Sequence, residues 1–381
     1  MQKGVIYMKK FRIISLIVFF IGLSLNLISS KFPMITEKYY SNGINIYIVK
    51  FLSKITSIFP FSLFEILIYL IVLSLIIYFI YSIIDIVKDY KKALVYIKSF
   101  ILNVASVAGL IYFLFIILWG LNYNRMDLKT SLIEDYNKTN NANITEVKYS
   151  DKELKELYKF LIERCNEIRL EVSEDSNGVM RCDTNYKGVL SRATNGYDNV
   201  DILNLSNREN YATAKPILNS NLLCYTGITG IYSPFTGEAN VNIASPDYYI
   251  PFTTLHEMAH QRGYASENEA NFLAYIAGIN HKDYDFKYSS YLLALKYTAS
   301  ALARVDYDTY IGLNSALSED VLNDLTNSSE FWKQYEGKVS EVSDNMNNTY
   351  LKANGVKSGT ESYGEMVNLL LTYYCLYHEK Y

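Results

Sequence analysis

Three long apolar runs without a charged residue fall in the first third of this 381-residue chain. The first lies between Arg12 and Lys31, the second spans Ile66 to Ile84, and the third spans Ser99 to Asn124. At about 1.5 Å per residue, a helix formed by any of these runs can cross most of the hydrocarbon core of a bilayer. Residues 1–124 are therefore predicted to form a membrane anchor. Its transmembrane helices are expected at about residues 13–30, 66–84 and 99–121.

The first run has an alternative interpretation as a cleaved signal peptide, because Lys9, Lys10 and Arg12 precede it. Its apolar core is longer than the roughly 7–15 residues of such a peptide, and no small-x-small cleavage site follows it. These features favour a transmembrane helix.

Basic residues predict how the anchor is oriented. Both the N-terminal tail and the connection between the second and third runs are basic, which places them in the cytoplasm under the positive-inside rule. The segment from Lys31 to Glu65 is almost as basic but is longer. An odd number of crossings from a cytoplasmic N-terminus gives a multi-pass protein of the cell membrane, with its C-terminal part outside the cell.

Charge and cysteine content narrow the function further. The net charge of −3 comes with no basic block, so nothing indicates binding to nucleic acid. The four cysteines, all beyond the membrane part, could form two disulfides in three pairings, but buried thiols are favoured because the sequence has no CxxC pair. They are Cys165, Cys182, Cys224 and Cys375.

The remainder of the chain reads as a polar linker followed by one domain. Residues 125–149 are rich in asparagine and lack a periodic pattern. Ser150 and Glu153 form a capping-box pattern that starts a long amphipathic helix. Short apolar pieces broken by Gly, Asn and Pro follow from Gly178 to Val241, and helical patterns dominate after Thr253. Residues 150–381 are thus predicted to be α+β, mostly α.

The stretch "HEMAH" carries the strongest chemical pattern in the chain. His256 and His260 lie four residues apart, so a helix projects both from one face and both can bind one metal ion. Glu257 is rotated by about 100° around the helix, where it can take a proton from water activated by that metal. The alternative is a polar patch on an ordinary helix, but the apolar neighbours Leu255 and Met258 indicate that the helix is buried.

Catalytic zinc takes three protein ligands, so a third must come from nearby. Gly263 can end the first helix, and Ser266 can cap the next one. Glu267 and Glu269 then compete for the ligand position. Ser266 and Glu269 fit a capping box, which gives Glu269 a structural role and favours Glu267 as the ligand.

Other residues near the site have weaker support. Asn271, four residues after Glu267, could support the ligands from behind. His281, a rival ligand, follows Gly278 at a helix C-terminus, where a histidine is typically a surface residue. His378 lies near the C-terminus and has still less support.

This arrangement resembles the gluzincin metallopeptidases, in which a glutamate on the following helix completes an HExxH zinc site. The segment "ENEANFLA" is similar to their E-x-x-A-N/D segment, and the resemblance again implies Glu267 as the ligand. The connection between His260 and Glu267 is shorter than in most gluzincins.

The chain is also similar to a bacterial membrane family known only as a domain of unknown function. The features in common are "WGLNY", "YSPFTGEANVN", the HExxH segment and "YLKANG…GTESYG". This resemblance implies a membrane-anchored zinc peptidase and supplies no substrate.

Two further segments follow from the peptidase resemblance. In such enzymes a strand preceding the metal helix pairs with extended substrate, and Gly237 to Ile243, with Asn240 and Asn242, is suitably placed. The alternative is a plain edge strand. Tyr363 could donate to the oxyanion that forms when water attacks a carbonyl, although packing in the core is favoured in a chain with 36 tyrosines.

Together these features predict a membrane-anchored zinc metallopeptidase. Zn²⁺ is the expected cofactor, and the expected partners are a peptide or protein substrate and the lipid bilayer. The alternative is a non-catalytic membrane sensor or scaffold with a structural or inactive zinc site.

Overall fold

A computed structural model describes residues 2–198, 200, 202–205, 211–353 and 363–378. The prediction of a mostly helical fold with few strands is confirmed. The α-helices are α1 Gln2–Ser29, α2 Pro33–Ile35, α3 Asn45–Thr56, α4 Leu63–Lys88, α5 Ala93–Leu118, α6 Leu128–Asn140, α7 Asp151–Arg169, α8 Tyr186–Arg192, α9 Asn195–Asp198, α10 Ser220–Cys224, α11 Ile250–Gln261, α12 Glu267–Ile279, α13 Tyr284–Val305, α14 Tyr307–Asn314, α15 Glu319–Lys333, α16 Lys338–Ala353 and α17 Tyr363–Tyr377. The strands are β1 Ser173–Glu174, β2 Met180–Arg181, β3 Lys215–Pro216, β4 Gly230–Ser233 and β5 Glu238–Val241. A π-helix spans Thr36–Ile44, and 3₁₀ turns span Tyr90–Lys92, Gly120–Asn124, Ile202–Asn204 and Asp247–Tyr249.

Three helices are long and apolar enough to cross a membrane, at Tyr7–Ser29, Leu63–Lys88 and Tyr90–Leu118, which confirms the three predicted apolar helices. Helix α5 packs between α1 and α4. Small residues allow α1 and α5 to approach closely, because a Cβ on Gly22 would lie 3.3 Å from Phe113. Most large apolar side chains of α4 are exposed, which suits a surface that faces lipid.

The connection between α1 and α4 is helical rather than a plain loop, and it packs against the C-terminal domain. Asn45 on α3 donates to the carbonyl oxygen of Leu118, and the Lys215 ammonium donates to the carbonyl oxygen of Thr56 at 2.6 Å. The end of α1, the start of α4 and the end of α5 therefore meet the same domain.

Part of the predicted linker is also helical. Helix α6 buries Leu128, Leu132, Ile133 and Tyr136. These side chains recur at i, i+4, i+5 and i+8, a helical period that is short and is followed at once by the asparagine-rich residues 137–143. The segment is thus packed onto the domain, and only its remainder behaves as a connection.

The C-terminal domain has a core built on three largely buried helices, α11, α12 and α13, which pack on one another and on α7. The predicted capping box of Ser150 and Glu153 is present at the start of α7. All four cysteines are free, and Cys165, Cys224 and Cys375 are buried.

A small sheet with strand order β3-β5-β4 lies beside these helices. Strand β5 runs parallel to β3 and antiparallel to β4, with Gly230 opposite Val241 and Ser233 opposite Glu238. The two interpretations of Gly237–Ile243, a strand that pairs with substrate and a plain edge strand, both need a free edge, and both are wrong because β5 is paired on both sides. The two edge strands of this sheet are β3 and β4, and β4 is the one that lines the cleft described below.

Arg125 connects the membrane part to the domain. Its guanidinium forms a bidentate pair with Glu37, donates to the carbonyl oxygen of Gly263 and stacks 3.9 Å from the ring centre of Tyr264. Arg125→Ala would leave the largely buried Glu37 carboxylate without its positively charged partner. We expect it to lower the free energy of unfolding by about 3–5 kcal/mol.

Thermal unfolding of the full chain in detergent, followed by circular dichroism, measures this loss. Arg181→Ala is the control, because its pair with Asp175 is half exposed and should contribute less than about 1 kcal/mol. Equal shifts for the two variants would contradict the prediction.

Candidate metal centre

Helix α11 places His256 and His260 on one face, with ring centroids 4.6 Å apart. The helix is buried along nearly its whole length, as its apolar residues predict. It ends as expected near Gly263, whose φ of +86° lies in the left-handed region and reverses the chain toward α12.

Glu267, the first residue of α12, faces both imidazoles. Its carboxylate oxygens lie 3.2 Å from His256 Nε2 and 3.6 Å from His260 Nε2. One ligand atom from each of the three residues lies within 4.8 Å of the others, which is close enough for one ion. The residues chosen from the sequence as metal ligands thus share one place.

The far side of each imidazole is held by a hydrogen bond. His260 Nδ1 lies 2.7 Å from the carbonyl oxygen of Tyr264, and His256 Nδ1 lies 2.8 Å from Asn271 Oδ1. A carbonyl oxygen only accepts, so Nδ1 of His260 carries a hydrogen. In the neutral ring the lone pair is then on Nε2, facing Glu267, as metal ligation requires. Asn271 stands where the sequence placed it, behind a ligand.

The electrostatics of the cluster favour a cation. Burial opposes ionisation of Glu267, but the two histidines outweigh it and hold its pKa well below the usual range. Burial likewise opposes the charged form of His260, yet the Glu267 carboxylate raises the pKa of His260 to about 9. Two nitrogen ligands and one carboxylate also match the donor set of a catalytic zinc site.

Glu257 is buried beside the ligands. Burial raises its pKa to about 7, against the opposing effect of His256 and His260. The backbone N–H of Tyr232 on β4 donates to this carboxyl group, while Oε2 accepts from none of the groups in the described part of the chain. A carboxyl group with a pKa near neutrality and a free oxygen is suited to accept a proton.

A cleft of about 1040 Å³ opens over these residues. Its lining combines the candidate ligands and Glu257 with strand β4, the face of α16, and aromatic residues at the ends of two membrane helices. The aromatic residues include Phe64, Phe115, Trp119 and Tyr123.

Residues 40–371 match the family described as "Protein of unknown function (DUF3810)". The chain belongs to that family. The matched range includes α4, α5 and every candidate ligand, whereas α1 precedes it. Searches of curated proteins and of solved structures gave no match.

Glu269, the alternative ligand within the family region, points away from the cluster. Its carboxylate accepts from the backbone N–H of Leu128 at 2.8 Å and lies in the field of Arg125. Ser266 does cap α12, but no side-chain capping bond forms. The capping-box reason for setting Glu269 aside is therefore wrong, and its real role is to hold α6 against α12.

Several other predicted residues lie elsewhere. Asn240 and Asn242 are fully buried; the Asn240 amide donates to the carbonyl oxygen of Ile231 on β4, and the Asn242 amide donates to that of Ile228, just before β4. His281 is buried, not on the surface, and both of its ring nitrogens are used by Arg192 and Asp283. His378 stacks on Tyr374. Tyr363 begins α17, and its side chain lies outside the described residues, as do residues 354–362 of the "YLKANG…GTESYG" motif.

The sequence does not indicate which residues from distant parts of the chain lie beside the ligands. The ring of Trp119 lies 5.8 Å from that of His260, and the Tyr123 hydroxyl donates to the Tyr350 hydroxyl across the cleft. In the sequence, "WGLNY" stands out only as a motif shared with the family of unknown function. Its place beside the metal ligands depends on tertiary packing.

Gly230 was also missed, and it sets the room available to Glu257. A Cβ at position 230 would lie 2.4 Å from Glu257 Oε1 and 2.6 Å from its Cγ. Gly230→Ala should push the flexible Glu257 side chain aside with little effect on the fold. Since a displacement of about 1 Å near reacting atoms can cost on the order of 10²-fold, we expect that loss in turnover with zinc retained.

Peptide cleavage and bound zinc, measured on the same full-length preparation, test this. Gly312→Ala is the control, because nothing lies within 4 Å of its added Cβ. Full activity in Gly230→Ala would show that Glu257 does not need this space.

Proposed function

We propose that this chain is a membrane-anchored zinc metallopeptidase that hydrolyses peptide bonds at the outer face of the cell membrane. The proposal rests on the convergence of His256, His260 and Glu267 within 4.8 Å, with Glu257 buried beside them in an open cleft. The glutamate on the following helix is the arrangement of gluzincins, so the domain is proposed to be gluzincin-like.

Each residue has a defined task in this mechanism. His256, His260 and Glu267 would hold the ion. The carbonyl oxygen of Tyr264 and the side chain of Asn271 keep the two imidazoles in the orientation that ligation needs. A bound zinc ion lowers the pKa of water and polarises a carbonyl. Glu257 takes the proton from the attacking water and passes it to the leaving amine.

Strand β4 is the proposed place for the substrate backbone. The carbonyl oxygen of Thr229 accepts from Asn242 N, so residues 229, 231 and 233 direct their backbone groups toward β5. Gly230 and Tyr232 direct theirs toward the cleft, in agreement with the bond from Tyr232 to Glu257. An extended peptide can add to this edge and present a carbonyl beside Glu257.

The cluster does not resemble a structural zinc site. Structural sites are closed by four protein ligands, whereas this cluster brings three together within the part of the chain that the structure describes, and it faces a cleft. A purely structural site also has no need for a buried carboxyl group such as Glu257. These features favour catalysis over the sensor or scaffold alternative.

Zinc content and metal removal test the proposal. The full-length chain in detergent should carry about one zinc ion, as a three-ligand catalytic site requires. Chelation should abolish cleavage of a peptide library and added zinc should restore it. His256→Ala should lose the ion, while His378→Ala, an exposed control, should keep it.

The outcomes separate the two functions. A chain that binds no zinc would overturn the proposal. A chain that holds zinc but cuts no peptide would favour the scaffold.

A further inference from the structure

We propose that the substrate is the extended segment of another membrane-anchored polypeptide, cut within a few residues of the point where that segment leaves the bilayer. This inference rests on the proposed function and adds the class of substrate. It is carried by where the cleft lies and by what lines it.

The candidate metal ligands lie at the end of a membrane helix. The third span ends at Leu118, and the next residue, Trp119, places its ring 5.8 Å from the ring of His260. Trp119 and Tyr123 are residue types enriched where a membrane meets water. The reacting bond would therefore lie about 10 Å from the hydrocarbon boundary, or about three residues of extended chain at ~3.3 Å each.

The sheet that offers its edge lies at the same level. Glu238 on β5 accepts from the backbone N–H groups of Leu63 and Phe64, at the start of the second span. Lys215 on β3 pairs with the Glu238 carboxylate, and both side chains are buried. Strand β4, paired with β5, is thereby fixed beside the membrane ends of two helices.

Another part of the lining comes from α16, which carries an exposed apolar stripe beside the polar residues Ser343, Asp344 and Asn347. Helix α16 turns Val339, Val342, Met346 and Tyr350 toward the cleft, and the exposed fractions of the first three are 56%, 57% and 69%. Their spacing of i, i+3, i+7 and i+11 makes one stripe along the helix. An exposed apolar stripe of this kind needs a partner.

These surfaces select the occupant. The edge of β4 binds extended backbone, the stripe on α16 accepts apolar side chains, and Phe64 and Phe115 continue the lining onto helices that face lipid. A polypeptide leaving its own transmembrane helix can reach all three, because it is already at this level. A loop of a water-soluble protein would instead have to descend to the bilayer surface.

The test uses full-length chain in vesicles of phosphatidylethanolamine and phosphatidylglycerol. The anchored probe is a leucine-rich helix of about 20 residues, enough to span the bilayer, followed directly by a library of extended segments. A second probe separates helix and library by a Gly/Ser spacer of about 15 residues, which moves the library away from the surface. A third carries the library without the helix.

We expect the anchored probe to be cut at least tenfold faster than the other two, at a bond about three residues from the helix end. Met346→Asp, which puts a charge on the stripe, should remove that preference. Asn345→Asp adds the same charge on α16 outside the cleft lining and should leave the preference intact. Equal cleavage of all three probes would overturn the inference while leaving the peptidase proposal standing.

A binding measurement keeps the inference testable without turnover. In Glu257→Gln, a photo-crosslinking residue in place of Val342 should label the anchored probe and not the spaced one. Labelling without cleavage by the unsubstituted chain would support the docking surface and overturn the peptidase. Absence of any preference in labelling would overturn the docking surface itself.

Discussion

Glu257→Gln should lower peptide cleavage by about 10²–10⁴-fold while the chain keeps its zinc. The amide has almost the shape of the carboxyl group but cannot accept a proton, so the change removes the base and leaves the packing around it intact. Glu257 is not one of the three proposed ligands, so the substitution leaves the metal-binding groups unchanged. Turnover and zinc affinity should therefore separate in this variant.

The measurement needs both readouts from one preparation. Zinc is counted in the purified full-length chain, and cleavage is followed with the peptide that the library identifies. Glu171→Gln is a matched control, since Glu171 is exposed and far along the chain from the cleft lining. Loss of zinc together with activity would move Glu257 into the ligand set, and unchanged turnover would remove it from the mechanism.

The parts of this molecule that the sequence predicts are those that depend on local periodicity. The three helices that are long and apolar enough to cross a membrane follow from uncharged runs, and the approach of His256 to His260 follows from their spacing of four residues on a helix. The end of α11 at Gly263 follows from the freedom of glycine at positive φ. None of these requires knowledge of what packs on the helix.

The parts that sequence reasoning missed depend on partners far away in the chain. Strand β5 has the alternating pattern of an edge strand, yet it is central because β3 and β4 pair with it on both sides. Gly230 matters only because Glu257 packs on it, and Trp119 only because α5 ends beside α11. The choice of Glu267 over Glu269 agrees with the geometry. The reason for setting Glu269 aside, a capping box with Ser266, does not, because no side-chain capping bond forms there.

That choice leads to the second large effect. Glu267→Ala should weaken zinc binding by more than about 100-fold, the upper range for losing an outer partner, because it removes one of three direct ligands. It also removes the carboxylate that raises the pKa of His260, so protons compete less with zinc for that imidazole. This gain is smaller than the loss, because the cluster gives up the only negatively charged ligand of its three. Competition with a chromophoric chelator measures the affinity.

Glu269→Ala is the matched comparison, two residues along the same helix. This variant should bind zinc with an affinity within a few-fold of that of the unsubstituted chain. The Glu269 carboxylate accepts from the backbone N–H of Leu128 and interacts with the charge of Arg125, not with the histidines. Its cost should fall on stability, because the backbone N–H of Leu128 loses its acceptor, which is worth about 1–3 kcal/mol when the group stays buried. The opposite result, with zinc lost in Glu269→Ala and retained in Glu267→Ala, would show that Glu269 is the third ligand and Glu267 is not.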